Sequence, residues 1–172
     1  IDSKLLSLAN NYIIMKKTTL FFVTILLSGF IYSQSNVIQI NSLELGQLYT
    51  DAQIRTFLGN PSNVKIPNIN DDISDLTEYH YSQCRFVFQK GELVAFHLKD
   101  TTYKVDNFLT VDMDVSTLTQ IGGLLIYYSS ANAYYWAPSQ NYFDNIGYLA
   151  IHIHPVTNKI VLITGRIATP LL

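Results

Sequence analysis

The sequence predicts an α+β fold: short helices packed on an antiparallel β-sheet, set out as two tandem helix–hairpin modules. Three observations predict it. Residues 43–61, LELGQLYTDAQIRTFLGNP, carry many local signals of a short capped helix. Residues 78–98 alternate aromatic and polar side chains and turn at Lys90-Gly91, the pattern of a β-hairpin. The same order returns downstream, where Thr50 and Asp114, and Gly59 and Gly123, each stand 64 residues apart.

The first helix is specified in detail. Thr50 is placed to cap the first turn, and Gln53 to reach back to the Thr50 N–H, a capping box. Tyr49 and Ile54 are spaced for a hydrophobic staple, and Asp51 suits the positive end of the helix dipole. Ile54, Phe57 and Leu58 share one face; Gly59 suits a left-handed cap, and Pro61 blocks continuation. Each device contributes ~0.5–1 kcal/mol, so a helix this short needs a sheet or second helix against Ile54 and Phe57.

The other elements follow in order. Residues 36–40 alternate as a leading strand. Residues 60–75 read as a loop with two prolines and an acidic tip of Asp71, Asp72 and Asp75. The tip lacks the glycine bend of a calcium loop, so a solvated loop is the better reading. Tyr79 and Tyr81 alternate with His80, then Cys84, Phe86 and Phe88 with Arg85 and Val87, and residues 93–98 return antiparallel. Residues 99–104 form a polar connector. Residues 108–123 are a second helical unit, capped by Asp114, with Leu118 and Ile121 as its apolar face and Gly123 at its close. Leu124–Tyr128 reads as a strand, Ala133–Ala137 as a strand or an aromatic loop, and 149–153 with 160–163 as the last hairpin. The tail after Gly165 reads as an edge or frayed end. The modules would span 43–104 and 107–166; chance recurrence of two helices and two hairpins is the other reading.

Residues 1–14 precede the first methionine, Met15. From Met15 the chain reads as an export signal. Lys16 and Lys17 form a basic start, 20–32 an apolar stretch, and Ile31-Tyr32-Ser33 a cleavage site before Gln34. The apolar stretch is shorter than the ~20 residues that a membrane-spanning helix needs. Residues 1–14 are therefore expected to be untranslated upstream sequence, 15–33 a cleaved signal peptide, and 34–172 a single domain. An uncleaved N-terminal anchor is the alternative. The expected location is periplasmic or secreted, with no stable membrane span after cleavage.

Dropping Lys4, Lys16, Lys17 and Asp2 from 11 basic and 13 acidic residues leaves eight against twelve. That balance disfavours nucleic acid and anionic lipid as partners. Low charge (14%) and high aromatic content (13%) suit a β-rich exported protein with a large apolar core. Cys84 is the single cysteine, so no internal disulfide forms, and its place in a strand makes it a small buried apolar residue.

Leu45-Gly46, Thr50, Gln53-Ile54, Phe57-Leu58-Gly59 and Pro61, followed by a Tyr-bearing strand and a Gly-turned hairpin, form a recognisable series. Over residues 43–98 it resembles the SmpA/OmlA outer-membrane assembly lipoproteins and the wider β-lactamase-inhibitor-protein fold, where such units occur in tandem. The resemblance implies a helical layer on an antiparallel sheet, and a binding or scaffolding role without chemistry. Those lipoproteins carry a lipidated cysteine; here Gln34 follows the signal.

Two residue sets invite a functional reading. Tyr127, Tyr128, Tyr134, Tyr135, Trp136, Tyr142 and Phe143 are interleaved with Ser, Asn, Gln and Pro, a composition that adaptable binding surfaces use. An envelope or extracellular protein, or a glycan, would suit them; rings that alternate between core and sheet cover would give the same pattern. His97, His152 and His154 would bind zinc if they converged, as in a metal-dependent hydrolase. Simple alternation against Ile151 and Ile153 explains the same histidines. No nucleophile elbow, Cys–His pair, phosphate-binding Gly loop or close carboxylate pair is present, and no cofactor is expected. The leading expectation is an exported non-enzymatic binding or scaffolding protein of the bacterial envelope.

Overall fold

A computed structural model describes residues 36–66 and 75–168. The upstream stretch 1–14, the signal peptide 15–33 and the acidic pair Asp71 and Asp72 lie outside the described residues. A two-stranded ribbon, β1 (Gln39–Ile40) and β2 (Leu43–Glu44), precedes helix α1 (Asp51–Leu58). Strands β3 (Asn63–Lys65), β4 (Leu76–Tyr81), β5 (Cys84–Gln89) and β6 (Glu92–Leu98) follow. After a 3-10 turn (Val115–Gln120) come β7 (Leu124–Tyr128), β8 (Ala133–Ala137), helix α2 (Gln140–Asn145), β9 (Gly147–Ile153) and β10 (Ile160–Ile167). The eight strands from β3 onward form one antiparallel sheet in the order β3-β4-β5-β6-β10-β9-β8-β7. The fold is thus more β-rich than expected, with only two short α-helices among the described residues.

The start of the first helix matches its signals. Thr50 Oγ1 accepts from the Gln53 N–H at 3.3 Å and Gln53 Oε1 accepts from the Thr50 N–H at 2.9 Å, while Gly59 ends the helix at φ 85° but ψ −169°, outside the left-handed cap expected for it. Ile54 and Leu58 are buried, and Phe57 meets Tyr49 edge-on at 6.3 Å. The Lys90-Gly91 turn holds both residues at positive φ, 50° and 87°, which gives it the twist that closes a hairpin.

Three further expectations need correction. The second helical unit is a 3-10 turn. Asp114 does cap it, accepting from the Ser116 N–H at 2.8 Å. However, Thr117 and Thr119 donate their hydroxyls back to the carbonyls of Asp114 and Ser116, which competes with a regular helix. Residues 63–65 are not loop but a short edge strand on β4. The tail after Gly165 is not an edge either, because β10 runs to Ile167 between β6 and β9. Gly165 is what lets it: the Phe96 ring lies where a Cβ would stand.

Strand alternation gives the sheet two faces. Phe86, Phe88, Leu93, Phe96, Leu98, Leu149, Ile151 and Ile163 lie on one face, each 1% exposed or less. Ile38, Ile40, Leu43 and Leu45 of the β1–β2 segment join them, as do Ile54, Leu58 and Leu118. The Tyr79 hydroxyl donates to Asp51 Oδ1 at 2.8 Å, and the hydroxyls of Tyr81 and Tyr103 donate to the carbonyls of Gly59 and Leu58. Tyr103, within the stretch expected to be a polar connector, is core. Cys84 is buried, and its thiol donates to Asp100 Oδ1 at 3.3 Å.

Candidate functional site

The second face of the sheet is made by the alternate residues of the same strands. One cross-strand line runs His80–Arg85–His97–Thr164–Ala150–Tyr135–Ile126, from β4 to β7. A parallel line runs Glu78–Val87–Ala95–Arg166–Tyr148. The β4–β6 end of this face is polar and the β7–β9 end is aromatic, with Ala95, Thr164 and Ala150 between them.

At the aromatic end Tyr128 meets Tyr135 at 4.6 Å between ring centroids, and Tyr135 meets Tyr148 at 5.4 Å. Tyr148 in turn stacks on Phe143 of α2 at 5.1 Å. The Arg166 guanidinium stands 4.9 Å from the centre of the Tyr148 ring, a cation–π arrangement. These rings are half-buried or exposed, so each keeps surface for a further contact.

At the polar end Glu78 takes His80 at 3.0 Å and Arg85 at 3.4 Å. Arg85 Nη2 donates to His97 Nε2 at 2.8 Å, which requires that nitrogen to be unprotonated. Burial holds the His97 imidazole below its usual range, and the Arg85 and Lys99 charges act in the same direction.

The predicted partner-binding residues separate. Trp136 and Tyr142 are core. The Trp136 indole donates to the Gly122 carbonyl at 2.6 Å, and the Tyr142 hydroxyl accepts from the Ile38 N–H at 3.2 Å. They are therefore removed from the candidate surface, because alternation on β8 and the turn of α2 send them to the covered face. Tyr127 and Tyr134 pair at 4.8 Å on that same side, at its β7 end, and Tyr127 is 51% exposed. Tyr135 and Phe143 belong to the second face. Sequence reasoning places Tyr128 in the aromatic stretch but misses Tyr148 and Arg166 as members of this row. Period-two alternation along β9 and β10 is the signal that would find them.

The three histidines do not form a ligand set. His97 and His152 share the second face, but His154 lies in the turn after β9. Its Nδ1 accepts from the backbone N–H groups of Val156 and Thr157, both at 3.3 Å. Among the described residues no group of three or more His, Cys, Asp and Glu is placed to hold a metal ion. No described helix is long and apolar enough to cross a membrane.

No protein-family model and no curated protein matches the chain. Among solved structures, the chain is similar to an extracellular protein containing a SCP domain from Bacillus anthracis str. Ames, at 12% identity and a TM-score of 0.44. The likeness covers 71% of this chain and 43% of that one, so this chain spans less than half of that protein's length.

Proposed function

We propose that this chain is an exported, non-enzymatic binding or scaffolding protein of the bacterial envelope, and that it takes an envelope or extracellular protein on the second face of its sheet. The observation that carries this reading is the ring row Tyr128–Tyr135–Tyr148–Phe143 with Arg166 over the Tyr148 ring. Tyrosine supplies large rigid contact area at low entropic cost, and arginine and tyrosine are the residues that anchor protein interfaces. The export signal read at 15–33 and the resemblance of 43–98 to SmpA/OmlA proteins support the same class. In this reading the two modules, 43–104 and 107–166, meet at the β6–β10 pair, and their short helices pack on the covered face.

Affinity capture from an envelope extract tests the proposal, with wild type and the Tyr135→Ala/Arg166→Ala double variant as paired baits. Wild type is expected to retain a protease-sensitive species that the variant loses. Equal retention by the two baits defeats the assignment of the face. A glycan ligand is the second reading, favoured by the exposure of Tyr128 at the end of the ring row. It predicts a retained species sensitive to glycosidase rather than to protease.

A further inference from the structure

The two edges of the eight-stranded sheet are not alike. One edge is β3, three residues long, preceded by Pro61 and carrying Lys65. Shortness, proline and lysine are the usual means of keeping a sheet edge from pairing with another chain. The other edge is β7, with the sequence Leu-Leu-Ile-Tyr-Tyr. It has no charge and no proline, and its register with β8 runs through five consecutive pairs without a bulge. Among the described residues β7 is hydrogen-bonded to a strand on one side only. Its last two residues, Tyr127 and Tyr128, are exposed.

We propose that β7 pairs antiparallel with β7 of a second copy of this chain, making a closed twofold dimer with a continuous sheet. The argument for a second copy is the strand's own sequence. Turned end for end about Ile126, Leu-Leu-Ile-Tyr-Tyr sets Leu124 opposite Tyr128 and Leu125 opposite Tyr127 of its copy. Every ring then meets an aliphatic side chain on the same face, a favoured cross-strand pairing, and no charge faces a like charge. Each ring row also gains a neighbour at its outer end, since Tyr127–Tyr134 and Tyr128–Tyr135–Tyr148 both terminate at this edge. Because β3 is guarded, the assembly stops at two copies instead of growing as a filament.

Sedimentation of the full-length protein over a wide concentration range tests this. The mass is expected to rise from one chain to two and to stop there. Ile126→Lys, which sets two ammonium groups against each other at the twofold axis, is expected to weaken association at least tenfold with the circular dichroism unchanged. Ile126→Cys is expected to cross-link to a dimer on mild oxidation, while Val161→Cys, exposed on the central strand β10, is not. The cysteine pair decides the matter if the lysine variant does not fold. A chain that stays monomeric throughout, a dimer indifferent to both Ile126 variants, or growth beyond two copies each overturns the proposal. So does a monomer that instead accepts an extended peptide of another protein along β7.

Discussion

The covered face and the second face of the sheet draw on the same strands and both carry aromatic rings, yet hold them differently. On the covered face the rings between β4 and β6 are closed in from both sides. Phe86 meets Tyr103 at 5.1 Å and Tyr81 at 5.7 Å, and Tyr79 meets Phe88 at 5.4 Å, all edge-on. The hydroxyls of Tyr79, Tyr81 and Tyr103 end on α1 or its cap, so each of these rings is fixed by packing and by a hydrogen bond. On the second face the rings of Tyr128, Tyr135 and Tyr148 lean on one another in a row. Their polar neighbours at the β4–β6 end bond mainly among themselves. Aromatic content therefore does not separate core from surface; what meets the ring's second side does.

Substitutions that strike one face and spare the other sharpen this contrast. The largest effect is expected for Phe96→Ala, a fully buried ring, at about 3–5 kcal/mol of stability in urea denaturation. Gly165→Ala on the same face drives a methyl into that ring and is expected to cost ~1–3 kcal/mol. Its cost should shrink in a Phe96→Leu background, which a double-mutant cycle reads directly.

Asp106, beside β1 on the covered side, gives an effect of opposite sign. Burial pushes its carboxyl up to about 6, although the Gln39 N–H it accepts from pulls the other way. Its ordinary value is 3.8, so the folded state resists ionisation, and stability falls as pH rises from there through about 6. Asp106→Asn keeps the acceptor and tolerates the positive φ of 49°, and is expected to gain on the order of 1 kcal/mol at neutral pH after allowance for its partial exposure. The gain should vanish below the ordinary carboxylate range, as thermal melts across pH would show.

Tyr135→Ala on the second face is expected to cost about 1 kcal/mol, the scale of its ring contacts, while removing ligand capture. The smallest effect belongs to His97. Its lowered value means the folded state prefers the neutral ring, so its contribution is complete above 6.5 and is lost as pH falls below that. His97→Gln should flatten this acid limb of the melting curve. Acid is thus expected to weaken the second face and to relieve the covered side at Asp106, two slopes of opposite sign in one molecule.

Much of the covered face was legible in the sequence because its signals are local. The α1 capping box, the Lys90-Gly91 turn and the alternation of Tyr79, Tyr81, Cys84, Phe86 and Phe88 need no knowledge of distant chain. What escaped depends on tertiary contact. The central position of β10 is set by its pairing with β6 and β9, and Gly165, which reads locally as a breaker, serves the Phe96 ring. Helix α2 is short, capped by the Ser139 hydroxyl on the Tyr142 N–H at 3.1 Å, and its apolar pattern is too brief to show a period. The ring row of the second face was half legible. Tyr135 and Phe143 were found by composition, whereas Trp136 and Tyr142 were assigned to the surface because composition carries no face. Tyr148 and Arg166 come from other strands and join the row only once the sheet is formed.

One face of the sheet holds the fold together, and the other keeps its rings uncovered. Matched truncations in urea, Phe96→Ala against Tyr135→Ala, test this most directly. Losses of about 3–5 and about 1 kcal/mol respectively are expected, with native circular dichroism retained by Tyr135→Ala. Equal losses, or unfolding of the Tyr135 variant, would contradict it.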